Sequence, residues 1–194
     1  MRDEALAGGF VDAPLDAARA FRAAMNVMAK PGRIETVAGA MPPDPLSVAA
    51  GVLILTLCDA ETPLCVSGSL NCPAVRDWIT FHASAPFVDP ADAVFAIGSW
   101  ADLKPLDPYQ RGTPEYPDRS TTLIVEMPEL LSEGTRLTGP GIKTSTALNL
   151  PEIEAFQQNA ALYPLGLDFF FTCSDRVAAL PRTTKVEAGL CMLR

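Results

Sequence analysis

Leu167-Asp168-Phe169-Phe170-Phe171-Thr172 is apolar at nearly every position. A half-buried strand alternates apolar and polar side chains, whereas a strand covered on both faces reads as a continuous apolar run. Three consecutive phenylalanines mark the second kind, so the stretch predicts a strand over 167–172 with packed layers on both sides. Ser174-Asp175 turns it into a further strand over 177–180, expected to run back antiparallel. Asp168 interrupts the run, and a buried carboxylate has to be paired or hydrogen-bonded. It reads either as a structural anchor with an arginine partner or as a functional acid.

Outward from that strand, helices alternate with short strands. Phe21, Met25 and Met28 recur at helical spacing with Ala17 below them, while Arg19, Arg22, Asn26 and Lys30 take the opposite face. This first amphipathic helix stops at Pro31-Gly32. Asp44 followed by Pro45 reads as an N-cap with proline in the first turn, opening a helix over 45–58 that is apolar nearly all round. A strand over 62–67 precedes a third helix, after Asn71-Cys72-Pro73, with Val75, Trp78, Ile79 and His82 on one face. Strands over 93–97 and 121–125 flank a Pro-, Asp- and Gly-rich surface loop over 103–119. A strand over 136–138, a Gly139-Pro140-Gly141 turn and a fourth helix over 151–162 complete the order. Helices among fully apolar strands, closed by a hairpin, predict one domain over 1–194, an α/β fold built as a three-layer α/β/α sandwich with a mixed sheet.

The 194 residues are 48% hydrophobic and 20% charged, which suits a compact chain with a real core. A net charge of -8 argues against nucleic acid and against anionic membrane as partners, since both want a basic surface. Five cysteines without a C-x-x-C pair, and one histidine, predict neither a metal site nor a disulfide framework. The thiols of Cys58, Cys65, Cys72, Cys173 and Cys191 are expected to be reduced and buried, the first three on a helix, a strand and a loop. No apolar run of signal-peptide length follows Met1-Arg2-Asp3-Glu4, and the strongest apolar segment, 46–57, is far below the ~20 residues of a membrane span. A soluble cytoplasmic protein is expected.

Several segments carry chemistry that has to be weighed against a plainer role. Gly139-Pro140-Gly141-Ile142-Lys143-Thr144 imitates a phosphate loop, but Ile142 stands where a glycine should precede the lysine and Pro140 has no amide hydrogen. It reads first as a tight turn and second as a ligand contact. Arg182-Thr183-Thr184-Lys185 gathers cations and hydroxyls at a strand end; Arg182 could clamp a phosphate or phosphonate, or the segment could be a charged edge strand. His82 reads as a core or interface histidine ahead of a catalytic one. Arg19, Arg22 and Lys30 read as a solvated face ahead of an anion or partner contact.

Taken in order, Phe21-Arg22 with Met25, Met28 and Pro31-Gly32, then Leu55-Thr56-Leu57, Thr62-Pro63, Phe81-His82 and Ala85-Pro86 precede Thr122-Leu123-Ile124-Val125. Arg136-Leu137-Thr138-Gly139-Pro140-Gly141-Ile142, Pro164-Leu165-Gly166-Leu167-Asp168 and Pro181-Arg182-Thr183-Thr184-Lys185-Val186-Glu187 follow. This ordered set resembles the PhnH family of the bacterial carbon-phosphorus lyase core complex along nearly the whole chain, and departs from it in the 103–119 loop and the tail after Glu187. The resemblance implies a fold similar to the large domain of pyridoxal-phosphate-dependent transferases, formed without that cofactor. It implies a homodimer and the partners PhnG, PhnI and PhnJ. It also implies a subunit, not catalytic alone, of the assembly that forms ribose 1-methylphosphonate 5-triphosphate from ATP and methylphosphonate. The ligand-binding candidates are Arg136, Thr138, Gly139, Gly141, Arg182, Thr183, Thr184 and His82. The alternative is an independent transferase or hydrolase acting on a phosphonate or nucleotide through Arg136, Arg182, Thr183 and His82.

Overall fold

The computed structural model describes residues 7–187, so Met1-Arg2-Asp3-Glu4, Cys191 and the tail after Glu187 lie outside the described residues. In chain order the elements are α1 (Ala13–Ala29), β1 (Glu35–Thr36), α2 (Val48–Leu57), β2 (Leu64–Val66), α3 (Pro73–His82), β3 (Phe95–Ser99) and α4 (Trp100–Leu103). They continue with β4 (Thr122–Glu126), β5 (Thr135–Thr138), β6 (Thr146–Leu148), α5 (Ile153–Ala160), β7 (Asp168–Cys173), β8 (Arg176–Leu180) and β9 (Lys185–Glu187).

Six strands form a mixed sheet in the order β1-β8-β7-β4-β3-β2. β2, β3, β4 and β7 run parallel, and β8 returns antiparallel to β7 as expected from the Ser174-Asp175 turn. β7 is an inner strand because it is apolar on both sides. Phe169 and Phe171 are fully buried in one core, while Phe170, 5% exposed, points into the other. Its neighbours keep the same alternation: Leu123 and Val125 face one way and Ile124 the other, as Ala178 and Leu180 do against Val177 and Ala179.

One face of the sheet packs against α1, α2 and α3. The other is covered by Phe156 of α5, by Trp100 and Leu103 of α4, and by a second, three-stranded antiparallel sheet in the order β6-β5-β9. Phe156 meets Phe169 edge-on at 4.9 Å between ring centroids and Phe171 at 5.7 Å, and Trp100 stands 4.8 Å from Phe156. The small sheet was not expected. It forms because Arg136 and Leu137 of β5 pair with Ala147 and Thr146 on one side and with Glu187 and Val186 on the other.

Two helices differ from expectation. α1 is amphipathic, but its buried side is Ala20, Ala23, Ala24 and Val27, while Phe21 and Met25 are about half exposed. Small side chains allow α1 to lie close on α2 and β8, and the larger residues are left on the flank. α2 begins at Val48, not at Pro45. Its cap is Ser47, whose Oγ accepts from the Ala50 amide at 3.1 Å, and whose own amide donates to Glu126 Oε1 at 2.8 Å.

Cys58 follows α2, Cys65 lies in β2 and Cys72 caps α3, so these three share no face. Burial pushes the Cys58 thiol up to about 12. Among the described residues no cluster of His, Cys, Asp and Glu could hold a metal ion, and no helix is long and apolar enough to cross a membrane.

Candidate functional site

The glycine turn between β5 and β6 and the connection from β8 to β9 come together at one edge of the small sheet. Gly139 has φ 133°, and a side chain there would stand 3.1 Å from the Thr183 carbonyl oxygen and 3.5 Å from Thr184 Cα. Gly141, at φ 81°, faces the Ala29 carbonyl at the end of α1, and a Cβ would collide with it. Thr184 donates its amide to Pro181 O at 2.9 Å, closing the turn into β9. Its side chain is buried, and its Oγ1 has no hydrogen-bond partner among the described residues. Thr138, Gly139, Thr183 and Thr184 are thus neighbours in space, while Gly141 sits beyond them against Ala29 and Pro31.

Arg182 lies beside them but turns inward. Its Nη2 is 2.5 Å from Asp168 Oδ2 and its Nε 3.2 Å from Asp168 Oδ1, while its backbone amide donates to the same Oδ1 at 2.8 Å. Nη1 donates to Pro117 O at 2.7 Å and more weakly to Pro164 O at 3.4 Å, and Nη2 also donates to Ser120 Oγ. The arginine fork available to clamp a phosphate clamps the Asp168 carboxylate in this structure, and the arginine partner that Asp168 called for is Arg182. A shallow cavity of about 410 Å3 opens over this pair, lined also by Tyr163, Pro164, Asp118 and Thr183.

Arg136 and His82 are placed differently. Arg136 is exposed and pairs with Glu187 at 2.9 Å across β5 and β9. His82 lies at the end of α3, where Nε2 is 3.2 Å from the Ala7 carbonyl and the ring packs on Trp78 and Phe81. It holds the segment before α1 rather than joining the glycine turn.

The sequence singled out neither Glu126 nor the meeting of Lys30 with Arg33 and Lys143, although Lys30 and Lys143 stood out in it separately. Glu126, at the end of β4, accepts from Ser47 N through Oε1 and from Thr172 Oγ1 through Oε2 at 3.0 Å; burial raises its pKa against the lowering effect of these bonds. Lys30, Arg33 and Lys143 meet around a cavity beside Gly141. The only signal for that meeting is Lys143-Thr144 after the glycine turn, since its two halves lie far apart in the chain. Glu152, at the N-cap of α5, accepts from Lys104 Nζ at 2.5 Å and Trp100 Nε1 at 3.0 Å, and these bonds hold its pKa below the usual range.

Fold and site together define an α/β domain organised around a mixed six-stranded sheet, with its glycine turn and its Pro181-Arg182-Thr183-Thr184 segment held together at the border of a smaller sheet. Residues 8–187 match the family described as bacterial phosphonate metabolism protein (PhnH). The chain is 40% identical over 192 residues to the alpha-D-ribose 1-methylphosphonate 5-triphosphate synthase subunit PhnH of Rhizobium meliloti (strain 1021), covering 93% of this chain and 94% of that protein. It is 29% identical over 176 residues to HtxG of Stutzerimonas stutzeri, named as a candidate C-P lyase subunit protein, covering 87% of this chain and 84% of that protein. The chain belongs to the PhnH family.

Proposed function

We propose that this chain is a subunit of the bacterial assembly that forms ribose 1-methylphosphonate 5-triphosphate from ATP and methylphosphonate on the way to carbon-phosphorus bond cleavage. The observation that carries the reading is kinship with a protein named as a subunit of that synthase, at 40% identity over 93% of the chain. The proposal includes a homodimer, the partners PhnG, PhnI and PhnJ, a cytoplasmic location, and a layered fold similar to the large domain of pyridoxal-phosphate-dependent transferases without that cofactor. The outer side of α1 supports an assembly role: Leu15, Phe21 and Met25 are each half exposed, an apolar flank of the kind that partners cover.

Ligand contact in this reading falls to Thr138, Gly139, Gly141, Thr183 and Thr184, with Arg136 and Arg182 at the borders of the cluster. His82 is the outlying member of the set. Co-expression with the three partner subunits tests the assembly role, and co-purification of the full set is the expected result. Phe21→Ser with Met25→Ser should weaken retention or dimerisation without lowering the melting temperature. A monomer that no partner retains, or turnover of a phosphonate or nucleotide by the purified chain alone that is lost on Arg182→Ala, would favour an independent enzyme instead.

A further inference from the structure

Three of the chain's 15 cations, Lys30, Arg33 and Lys143, line one small cavity of about 270 Å3. It lies where the end of α1 meets the loop from the glycine turn into β6. Thr144, Ser145 and Thr146 line it as well, and no acidic residue does, although acids outnumber bases 23 to 15 in the whole chain. Glu35 reaches the group from outside, with Oε1 2.8 Å from Arg33 Nε. Lys30 and Lys143 make no ion pair among the described residues.

The cavity is built from two turns that are locked together. Gly32 seats against the Thr146 side chain and Gly141 against the Ala29 carbonyl, each so closely that a Cβ would collide. The Arg33 amide closes one turn on Lys30 O at 3.1 Å, and the Ile142 amide closes the other on Gly139 O at 3.2 Å. The amides of Lys143, Thr144 and Ser145 make no backbone hydrogen bond among the described residues. The fixed turns thus bring three exposed cations to the border of one concavity, with those backbone amides beside them. Glu35 already neutralises Arg33, which leaves Lys30 and Lys143 as the two charges that an entering anion would meet. The volume is at the small end for ligand cavities and suits a compact charged group rather than a large apolar body. Several cations around one concavity match charge spread over linked phosphates better than a single carboxylate.

We infer that this cavity binds the oligophosphate group of a small molecule. None of the three cations belongs to the ligand-contact set proposed above, and the test needs this chain alone, so it stands or falls apart from the assembly reading. The purified full chain is titrated calorimetrically with inorganic tripolyphosphate, orthophosphate, ATP and adenosine at low and at physiological salt. Saturable binding of tripolyphosphate and ATP is expected, weaker binding of orthophosphate and none of adenosine, with affinity falling as salt rises. ATP binding much tighter than tripolyphosphate identifies a nucleotide as the source of the group; equal affinities identify the phosphate chain itself. Lys143→Ala and Lys30→Ala should each weaken binding about tenfold, whereas Arg19→Ala, an exposed cation outside the cavity, should leave it unchanged. Melting temperatures of the variants check that each is folded. The inference is overturned by the absence of saturable tripolyphosphate binding at millimolar concentration, by adenosine binding as well as ATP, or by the three variants behaving alike.

Discussion

Replacing Arg182 with Met should unfold the chain more readily than any substitution at an exposed charge. The Arg182 side chain is 11% exposed and that of Asp168 23%, so solvent screens their pairing only in part. Methionine fills much of the same space but leaves Asp168 a half-buried carboxylate holding one amide, that of residue 182. Breaking a buried ion pair from one side costs about 3–5 kcal/mol, and the partial exposure of Asp168 points to the lower end, about 3 kcal/mol. For a chain of this size that is a fall of about 6–12 °C in melting temperature. Asp168→Asn keeps an oxygen for the same amide and should cost less, about 2 kcal/mol. In urea denaturation the double variant should lose less than the sum of the singles, with a coupling of about 1–3 kcal/mol. Additive losses, or an Arg182→Met variant within about 0.5 kcal/mol of the parent, would show that the pair does not anchor β7 to the loops at Pro117 and Pro164.

Phe156→Ala should cost about 3–5 kcal/mol by chemical denaturation, because its ring is fully buried against Phe169 and Phe171; a loss below about 1 kcal/mol would mean the site collapses without cost. Gly141→Ala should be more damaging than Gly134→Ala. Both need a left-handed backbone, at about 1–3 kcal/mol, but only residue 141 meets a carbonyl, whereas the nearest atom at 134 is 3.6 Å away. Equal losses in denaturant would remove the collision from the account. Glu126 has its folded pKa above the ordinary value, so folded protein holds that proton more tightly than unfolded chain. Its contribution is greatest below the ordinary value and is lost as pH rises through the folded one. Glu126→Gln should flatten the stability profile upward from about pH 4, where the unfolded chain begins to release that proton, while keeping an acceptor for Ser47 N; thermal melts with an unchanged slope would refute this.

The central strand was legible because burial on both faces leaves a mark in composition, and three phenylalanines in a row admit few other readings. The Ser174-Asp175 hairpin and the third helix were legible for equally local reasons. The core side of α1 was not. Periodicity locates large apolar residues, yet close helix packing selected alanines, so of the three that stood out in the sequence Met28 packs against the core while Phe21 and Met25 are left outside. The second sheet was hidden because β5 pairs with β9 across a long separation in the chain, and strands of three or four residues carry too little pattern to announce a partner. At the candidate site, each motif was visible but its neighbours were not. Asp168 could be told to need a cation, and Arg182 to suit an acid, without anything local joining the two. The cations at 30, 33 and 143 had no reason to be read together until the turns carrying them met.

α1 divides its two sides by size as well as by polarity. Alanines hold it down, and Phe21, Met25 and Leu15 face out. Substitutions at 21 and 25 can therefore change how readily the molecule adheres to other surfaces, and how soluble it is at high concentration, while the packing beneath them stays as it was. In this helix, stickiness and stability are adjustable separately, residue by residue.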